Sequence, residues 1–271
     1  MKALTFLFCA LYAIQAMAQS DTILKIHHAE PLYMDLIRDL GARKGEKEWN
    51  VGGAIQDERQ YISYTGFIEY EFSPLNRWGL EVEVPFSFYQ SVNTEKANEE
   101  MPRHRVEGIK TAAQYTFWVS GKQRLSMAAG YMNELKLHSF ATISDRRDVI
   151  KGNTYSPFLI VGKRWGPHFH SLLYTGPVWE QNFSDGIIES SFQLNTSVHY
   201  VIPGTPHFIG MELNQEFGAN ISASVLRPQA KVKISQGLYL GILTGIPLSF
   251  ENQRMSFMMR VIYEPKKKLK R

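Results

Sequence analysis

Carboxylates and cations recur at every second position in several segments of the chain. The acidic group is Glu69, Glu71, Glu81 and Glu83, and the mixed group is Glu189, Glu212, Glu216, Arg227, Lys231, Lys233 and Arg260. Opposite charges on facing walls of a narrow pore create a transverse field that orients dipolar solutes and influences ion preference. Paired with one another, the same side chains would instead fill a crowded interior. We predict that all of them line a lumen, and both uses stay open.

One serine and one histidine have a spacing that could support hydrolysis. Ser197 and His199 lie two residues apart, and a hydrolase needs its nucleophile and its base within hydrogen-bond reach. Both fall on the polar face of their segment, and no acidic third residue accompanies them. They are the only candidates for an alternative function, an outer-membrane lipid hydrolase.

Metal and cofactor chemistry has little support in the sequence. His27, His28 and Glu30 offer metal-binding atoms, but three donors on one leader segment lack visible supporting residues, so we predict no metal site. Cys9 is the one cysteine of the chain and lies in a stretch that we expect to be removed. No glycine-rich phosphate loop follows a strand and opens a helix, which argues against a nucleotide enzyme and leaves no predicted cofactor.

The composition excludes several classes of protein. The chain has 271 residues, of which 44% are hydrophobic and 21% are charged, with a formal net charge of +4. This is too polar for a bundle of membrane helices and too weakly basic for a typical nucleic-acid-binding protein. Disorder does not fit either, because 13% of the residues are aromatic.

The N-terminus has the pattern of a secretory signal peptide. Lys2 precedes an apolar stretch, and Ala16-Met17-Ala18 provides small residues at the positions that signal peptidase reads. We therefore predict a signal peptide over 1–18, with cleavage after Ala18 and export of the remaining chain.

Beyond residue 18, apolar and polar residues alternate with a period of two, which is typical of β-strands. In the third segment, for example, Val82 and Val84 share one face while Glu81 and Glu83 share the other. The predicted strands are 49–56, 61–73, 78–90, 106–119, 124–137, 154–164, 168–181, 187–202, 207–218, 224–235, 238–250 and 255–264.

Three features indicate that the apolar faces point outward into a membrane. The segments are longer than the ~5–6 residues usual in soluble sheets. Connections after even-numbered strands are tight, while the long loops 91–105 and 138–153 follow odd-numbered ones. Aromatic residues gather at strand ends, as at the two membrane interfaces of outer-membrane barrels. We therefore predict an all-β fold, a closed antiparallel up-and-down transmembrane β-barrel of about 12 strands over 49–264, followed by a basic tail over 265–271.

The leader before the first strand contains a distinctive octapeptide. Residues 28–35 read HAEPLYMD, which resembles the HAEPLYID family of the Bacteroidota and differs from the family's name only at Met34. The resemblance continues through 69–72 and 76–83, and we take it to cover the mature chain. It implies a lineage and a surface location, and it supplies no mechanism and no catalytic residue.

The same leader, 19–48, has the pattern of a short helix. Pro31 can open a helix and Gly41 can close it, with Leu36, Ile37 and Leu40 on one face. About ten residues make a marginal helix alone, so the segment must pack on something. We place it at the periplasmic mouth, where it could serve as a lumen plug, a lid or a docking segment.

These patterns favour a protein of the outer membrane of a Gram-negative bacterium. The predicted function is a passive channel for small polar solutes or a structural surface protein. The alternatives are the lipid hydrolase and a soluble periplasmic lipocalin-like binding protein. The expected partners are outer-membrane lipid, the barrel-assembly machinery and small polar solutes, without nucleic acid.

Overall fold

The computed structural model describes residues 24–34, 36–58, 61–92, 101–139, 149–219, 222–248 and 254–265. The predicted signal peptide and residues 266–271 of the basic tail lie outside this part of the chain. The strands are β1 (Lys47–Asp57), β2 (Tyr61–Phe72), β3 (Trp78–Ser91), β4 (Arg105–Val106), β5 (Gly108–Ser120), β6 (Leu125–Leu137), β7 (Ile150–Trp165), β8 (Phe169–Asn182), β9 (Ile188–Val201), β10 (Phe208–Gly218), β11 (Ser222–Ser235), β12 (Leu238–Pro247) and β13 (Ser256–Tyr263).

Every strand pairs antiparallel with its neighbours, and the last strand pairs with the first. Trp49 lies opposite Tyr263 across the β1–β13 seam, so the sheet closes on itself. Both β4 and β5 pair with β3 and are separated only by Glu107, so they form one interrupted strand of the barrel. The predicted closed barrel of 12 strands is therefore confirmed. Closure leaves no sheet edge with unpaired backbone groups, which a hydrocarbon environment would not tolerate.

The side chains are sorted by face as the alternation predicts. On β1, Val51 is exposed on the outside while Asn50 is fully buried inside. Val51 pairs with Ile68 on β2 and with Val261 on β13, and both of these residues are also exposed. Neighbouring strands thus extend one another's apolar rows into a continuous outer surface, which is the reverse of a soluble barrel with a dry core.

Two prolines face each other where β7 and β8 pair. The ladder is interrupted at Pro157 and Pro177, because proline has no N–H to donate. Pairing resumes at Tyr155–Trp179 on one side and Leu159–Thr175 on the other, without a change of register across the gap.

The connections divide the barrel into two ends. The turns 73–77, 121–124, 166–168, 202–207 and 236–237 lie at one end, here called the short-turn end, and the long connections lie at the other, the loop end. Left-handed residues such as Arg77, Gly166 and Gly237 make the tight turns possible. The predicted parity of short and long connections is present.

An aromatic belt surrounds the short-turn end. Ring pairs formed across adjacent strands have centroid distances of 4.5 Å for Trp49–Tyr70, 5.0 Å for Trp78–Tyr115 and 5.1 Å for Phe169–Tyr200. Tryptophan and tyrosine favour the level of lipid headgroups, so the belt is consistent with a membrane interface at this height.

Residues 24–46 enter the lumen from the short-turn end, and we call them the plug. Backbone hydrogen bonds join this segment to the β2–β3 turn, from Gly45 N to the Ser73 oxygen (2.8 Å) and from Arg77 N to the Ala42 oxygen (2.6 Å). Leu32 and Leu40 are each 1% exposed, although they precede the barrel in sequence.

The short helix predicted between Pro31 and Gly41 is wrong for the described residues of that stretch, which form bends and a turn. Asp35 lies outside the described residues. Arg38 has a left-handed backbone, with φ of 67°, which a helix would not allow. None of the described residues forms a helix long and apolar enough to cross a membrane.

Candidate functional site

The apolar residues of the plug pack on apolar patches inside the barrel. One cluster joins Leu36, Ile37 and Leu40 to wall residues of β5–β8, and a second joins Ala29 and Leu32 to walls of β10, β12 and β13. The wall residues are Ala112, Ala128, Phe158, Ile160, Leu172, Tyr174, Phe208, Leu243, Met258 and Ile262. Full burial of one such leucine is worth about 1.5–3 kcal/mol, so these contacts are the main apolar stabilisation of the plug.

Glycines in the wall make room for these side chains. A β-carbon at Gly241 would lie 2.8 Å from Leu32 Cδ2, and one at Gly162 would lie 2.7 Å from Leu40 Cδ1. At Gly79 the β-carbon would overlap the carbonyl oxygen of Ile37. The wall is therefore shaped to receive the plug backbone and its leucines.

Backbone N–H groups of the plug donate hydrogen bonds to side chains of the wall. Glu212 accepts from Met34 N at 2.9 Å and from Tyr33 N at 3.3 Å. The other such contacts run from Ala29 N to His170 Nδ1 (2.6 Å), Leu32 N to Gln229 Oε1 (2.7 Å), Arg38 N to Glu71 Oε2 (2.9 Å) and Gly41 N to Thr116 Oγ1 (2.9 Å). Because wall atoms satisfy these donors, the segment needs no helix of its own, which explains the failed helix prediction.

A buried ionic network ties the plug to β1 and β2. The guanidinium of Arg38 donates to Glu48 at 2.6 Å and lies 3.6 Å from Glu71. Asn50 bridges the same group by donating to Glu69 at 2.6 Å and to Glu71 at 3.1 Å. Burial opposes the charge of Arg38, but Glu48 and Glu71 raise its pKa above the ordinary value, so it stays a cation.

Two further cations bind carboxylates of the acidic group Glu69, Glu71, Glu81 and Glu83. Arg260 donates to Glu69 at 3.3 Å and to the Leu32 oxygen at 3.3 Å. Lys110 lies 2.9 Å from Glu83 and 3.3 Å from Glu81. Among the described residues, the carboxylates of Glu69, Glu81 and Glu83 form the one group close enough to hold a metal, within 4.8 Å of one another. Since Lys110 and Arg260 already bind these carboxylates, we infer no metal there.

The remaining predicted lumen residues divide between the plug and the two mouths. Arg227 stacks on the ring of Tyr33, with 3.5 Å from its guanidinium carbon to the ring centroid. Glu216 accepts from Ser191 at 2.7 Å, and Lys231 lies 5.0 Å from the Tyr239 ring. Glu189 is exposed near the loop end and Lys233 is exposed near the short-turn end. The buried charged side chains of the lumen thus bind the plug or one another.

Ser197 and His199 both point into the lumen and are buried, with 3% and 0% exposure. Among the described residues, neither Ser197 Oγ nor a ring nitrogen of His199 has a hydrogen-bond partner, so they do not bond to each other. The His199 ring packs on Phe208 at 4.8 Å. This serine–histidine pair is therefore absent from the lipid side, where a lipid hydrolase would need it.

The plug carries its own ionic contacts at the short-turn end. Lys25 forms ion pairs with Asp39 and, at 2.9 Å, with Glu46. Burial acts against the charge of Lys25, but both carboxylates raise its pKa. Burial and the neighbouring Asp39 raise the pKa of Glu30, and a hydrogen bond joins the two side chains. Although burial opposes ionisation of Asp39 too, that hydrogen bond and Lys25 lower its pKa, so Asp39 is the ionised partner.

The residues considered for metal binding in the leader have other partners. His28 Nε2 lies 3.0 Å from Ser126 Oγ, and burial, with nearby His170 and Arg164, lowers the pKa of His28 to about 4. Glu30 bonds to Asp39, and His27 lies 3.9 Å from Asp39. Within the part of the chain that the structure describes, these three donors do not form a group close enough to hold a metal.

Three cavities surround the plug. The first, of about 330 Å³, lies between Tyr33, Ile37 and the charged walls of β2, β3 and β5. The second, of about 520 Å³, lies at the short-turn end beside Lys25, His28 and Lys231. The third, of about 130 Å³, lies between Tyr33, Met34 and the walls of β9–β11. Tyr33 borders two of these spaces and is 45% exposed.

A closed 12-stranded barrel with an apolar exterior and a polar, plugged lumen has the fold of outer-membrane channels. A solved outer membrane channel from Pseudomonas putida F1 superposes with a TM-score of 0.65 at 14% identity, covering 88% of this chain and 100% of that one. The NanC porin matches with a TM-score of 0.56 at 10% identity, covering 81% of this chain and 100% of that one. The KdgM porin matches with a TM-score of 0.55 at 14% identity, covering 81% of this chain and 99% of that one.

The sequence itself identifies the family within this class. The HAEPLYID-like family model matches residues 24–264, so the chain belongs to the HAEPLYID-like family. The matched region begins with the plug and ends just after β13. A comparison with curated proteins finds no match.

The structure gives the octapeptide of this family a physical role. His28 bonds to Ser126, Pro31 and Leu32 are buried, and Tyr33 stacks on Arg227. The octapeptide and the luminal charges are both visible in the sequence, but the contacts between them are not. The available signal was a set of leucines in a leader together with carboxylates on the polar faces of strands.

Proposed function

We propose that the protein is an outer-membrane channel for small polar solutes whose lumen is narrowed by its own N-terminal segment. The observation that carries this proposal is a closed barrel with apolar residues outside and polar residues inside, in which cavities lie on both sides of the plug. A soluble lipocalin-like binder would bury the apolar faces, and here residues such as Val51 and Val261 are exposed.

The proposed location is the outer membrane of a Gram-negative bacterium, reached after cleavage of a signal peptide near Ala18. The apolar outer surface and the aromatic belt support contact with outer-membrane lipid. The alternating outward residues Phe257, Met259, Val261 and Tyr263 on the last strand support insertion by the barrel-assembly machinery. Carbonate washing and fractionation test this location.

Two lysines lie at the short-turn mouth of the proposed channel. Lys231 borders the cavity at the short-turn end, and Lys233 is exposed beside it. In planar bilayers, we expect stepwise currents whose anion preference falls in the Lys231→Gln, Lys233→Gln double variant, because two cations at the mouth concentrate anions. Lys122→Gln is the control, since this exposed residue lies in the 121–124 turn.

A structural surface protein is the second candidate, and the packing of the plug favours it. Leu32 and Leu40 pack closely against the wall, which narrows any route through the barrel. Correctly folded protein that gives no currents at any voltage would contradict the channel and support this candidate.

A further inference from the structure

The luminal face of β9 carries a row of uncharged polar side chains, Gln193, Asn195, Ser197 and His199. The last three are 5%, 3% and 0% exposed. Among the described residues, each member of the row keeps at least one buried nitrogen or oxygen without a hydrogen-bond partner. Such atoms are uncommon in folded proteins and point to a missing water, ion or ligand.

The loop-end part of this row opens on the third cavity, which we call the amide cavity. Gln193, Asn195 and Asn214 line it together with Tyr33 of the plug. Asn214 Nδ2 donates to Asn195 Oδ1 at 2.9 Å and to Glu212 at 2.7 Å. Within the described structure, this leaves Asn195 Nδ2 as an unused donor and Asn214 Oδ1 as an unused acceptor.

The two charged residues of the amide cavity differ in their contacts. Glu216 accepts from Ser191 at 2.7 Å. The guanidinium of Arg227 stacks on Tyr33, and within the described structure its Nε has no hydrogen-bond partner. The unused amide atoms are one donor, Asn195 Nδ2, and two acceptors, Asn214 Oδ1 and Gln193 Oε1. A hydroxyl group both donates and accepts, so it matches such a set, whereas a carboxylate only accepts and an ammonium only donates.

We propose that the amide cavity binds the hydroxyl-bearing edge of a neutral sugar or polyol. The volume of about 130 Å³ corresponds to roughly four waters of about 30 Å³ each, so it holds one edge of a sugar ring rather than a whole oligosaccharide. Ser197 and His199 extend the same polar row toward the short-turn end. The proposal rests on the proposed channel function, because it names the solute class of that channel.

The test is calorimetric titration of the full chain in detergent with maltotriose and with sorbitol. We expect measurable binding by the wild type and at least tenfold weaker binding by Asn195→Leu and by Asn214→Leu, since leucine keeps the size and removes the hydrogen-bonding atoms. Thr65→Val is the matched control, because Thr65 borders the first cavity and not the amide cavity. Its affinity should stay within twofold of the wild type.

Heat-modifiable gel migration shows whether each variant is a folded barrel. Should either asparagine variant fail to fold, Gln193→Met replaces it, and binding should again weaken. No binding of either probe to the wild type, or unchanged binding by the folded variants, would overturn the proposal and leave the unused atoms to water.

Binding in detergent is independent of conductance, so the two proposals fail separately. Currents in bilayers without sugar binding would overturn only the solute assignment. Sugar binding without currents would contradict the channel and retain the site.

Discussion

Glu212 holds the plug backbone at two consecutive positions, Tyr33 and Met34, and is 1% exposed. We expect Glu212→Ala to destabilise plug docking by on the order of 2–4 kcal/mol, because two partly buried N–H groups lose their acceptor. The measurement is hydrogen exchange at the plug amides, which should accelerate. Glu189→Ala, at an exposed position, should leave exchange unchanged. Equal protection in both variants would show that Glu212 does not anchor the plug.

His28 gives plug docking a dependence on pH. Its pKa in the docked state is about 4, below the ordinary 6.5, so docking favours the neutral ring. Its stabilising contribution is complete above pH 6.5 and falls as the pH drops from 6.5 toward 4. The groups around the ring are His170, Arg164, His27 and Asp39, of which only Asp39 favours protonation.

Glu30 has the opposite effect on docking. Its pKa is higher in the docked plug than the ordinary 4.5, so docking becomes stronger as the pH falls through the docked pKa toward 4.5. The informative quantity is therefore the difference between the wild type and His28→Gln, which does not titrate. We expect wild-type plug amides to lose protection relative to His28→Gln between pH 6.5 and 4, after correction for intrinsic exchange rates. Parallel pH profiles would contradict this assignment.

Among the elements, the plug contributes no strand to the closed barrel. In Gly79→Ala the new β-carbon overlaps the Ile37 carbonyl, so we expect the plug to leave its position and the conductance to rise several-fold. Trypsin should then cleave within the plug while heat-modifiable migration of the barrel persists. Gly53→Ala is the control, since its β-carbon would make only an ordinary contact, at 3.6 Å from the Thr65 oxygen. If the plug is displaced and the current does not change, another part of the lumen limits the conductance.

The strands and the plug differ in how far the sequence determines them. A strand such as β3 shows its two faces in local alternation, since Glu81 and Val82 have opposite surroundings whatever the distant chain does. The plug depends on contacts with residues far along the chain, as between Leu32 and Gln229, and these have no local pattern. Local spacing therefore predicted a helix, while tertiary hydrogen bonds produced an irregular segment. For the same reason Glu212 was predicted in the lumen but not as an anchor.

At the scale of the whole molecule, the membrane orientation makes a direct prediction about the outer surface. Val84 lies outward near the middle of β3 and is 38% exposed. We expect Val84→Arg to destabilise the barrel in lipid vesicles by about 2–4 kcal/mol, because a charge near the bilayer midplane faces hydrocarbon. Leu75→Arg, in the short turn between β2 and β3, should have little effect. Urea unfolding in vesicles measures both, and equal stabilities would contradict the proposed orientation.

The plug ends at residue 46, directly before β1 begins at Lys47, so this ligand is covalently joined to its receptor. A tether this short gives the segment a very high effective concentration at its binding surface, and even a modest intrinsic affinity keeps it bound. The tether also keeps a plug that leaves the lumen close to its binding surface. In the proposed channel, each barrel thus carries one narrowing segment of its own, whatever the number of copies that the cell makes.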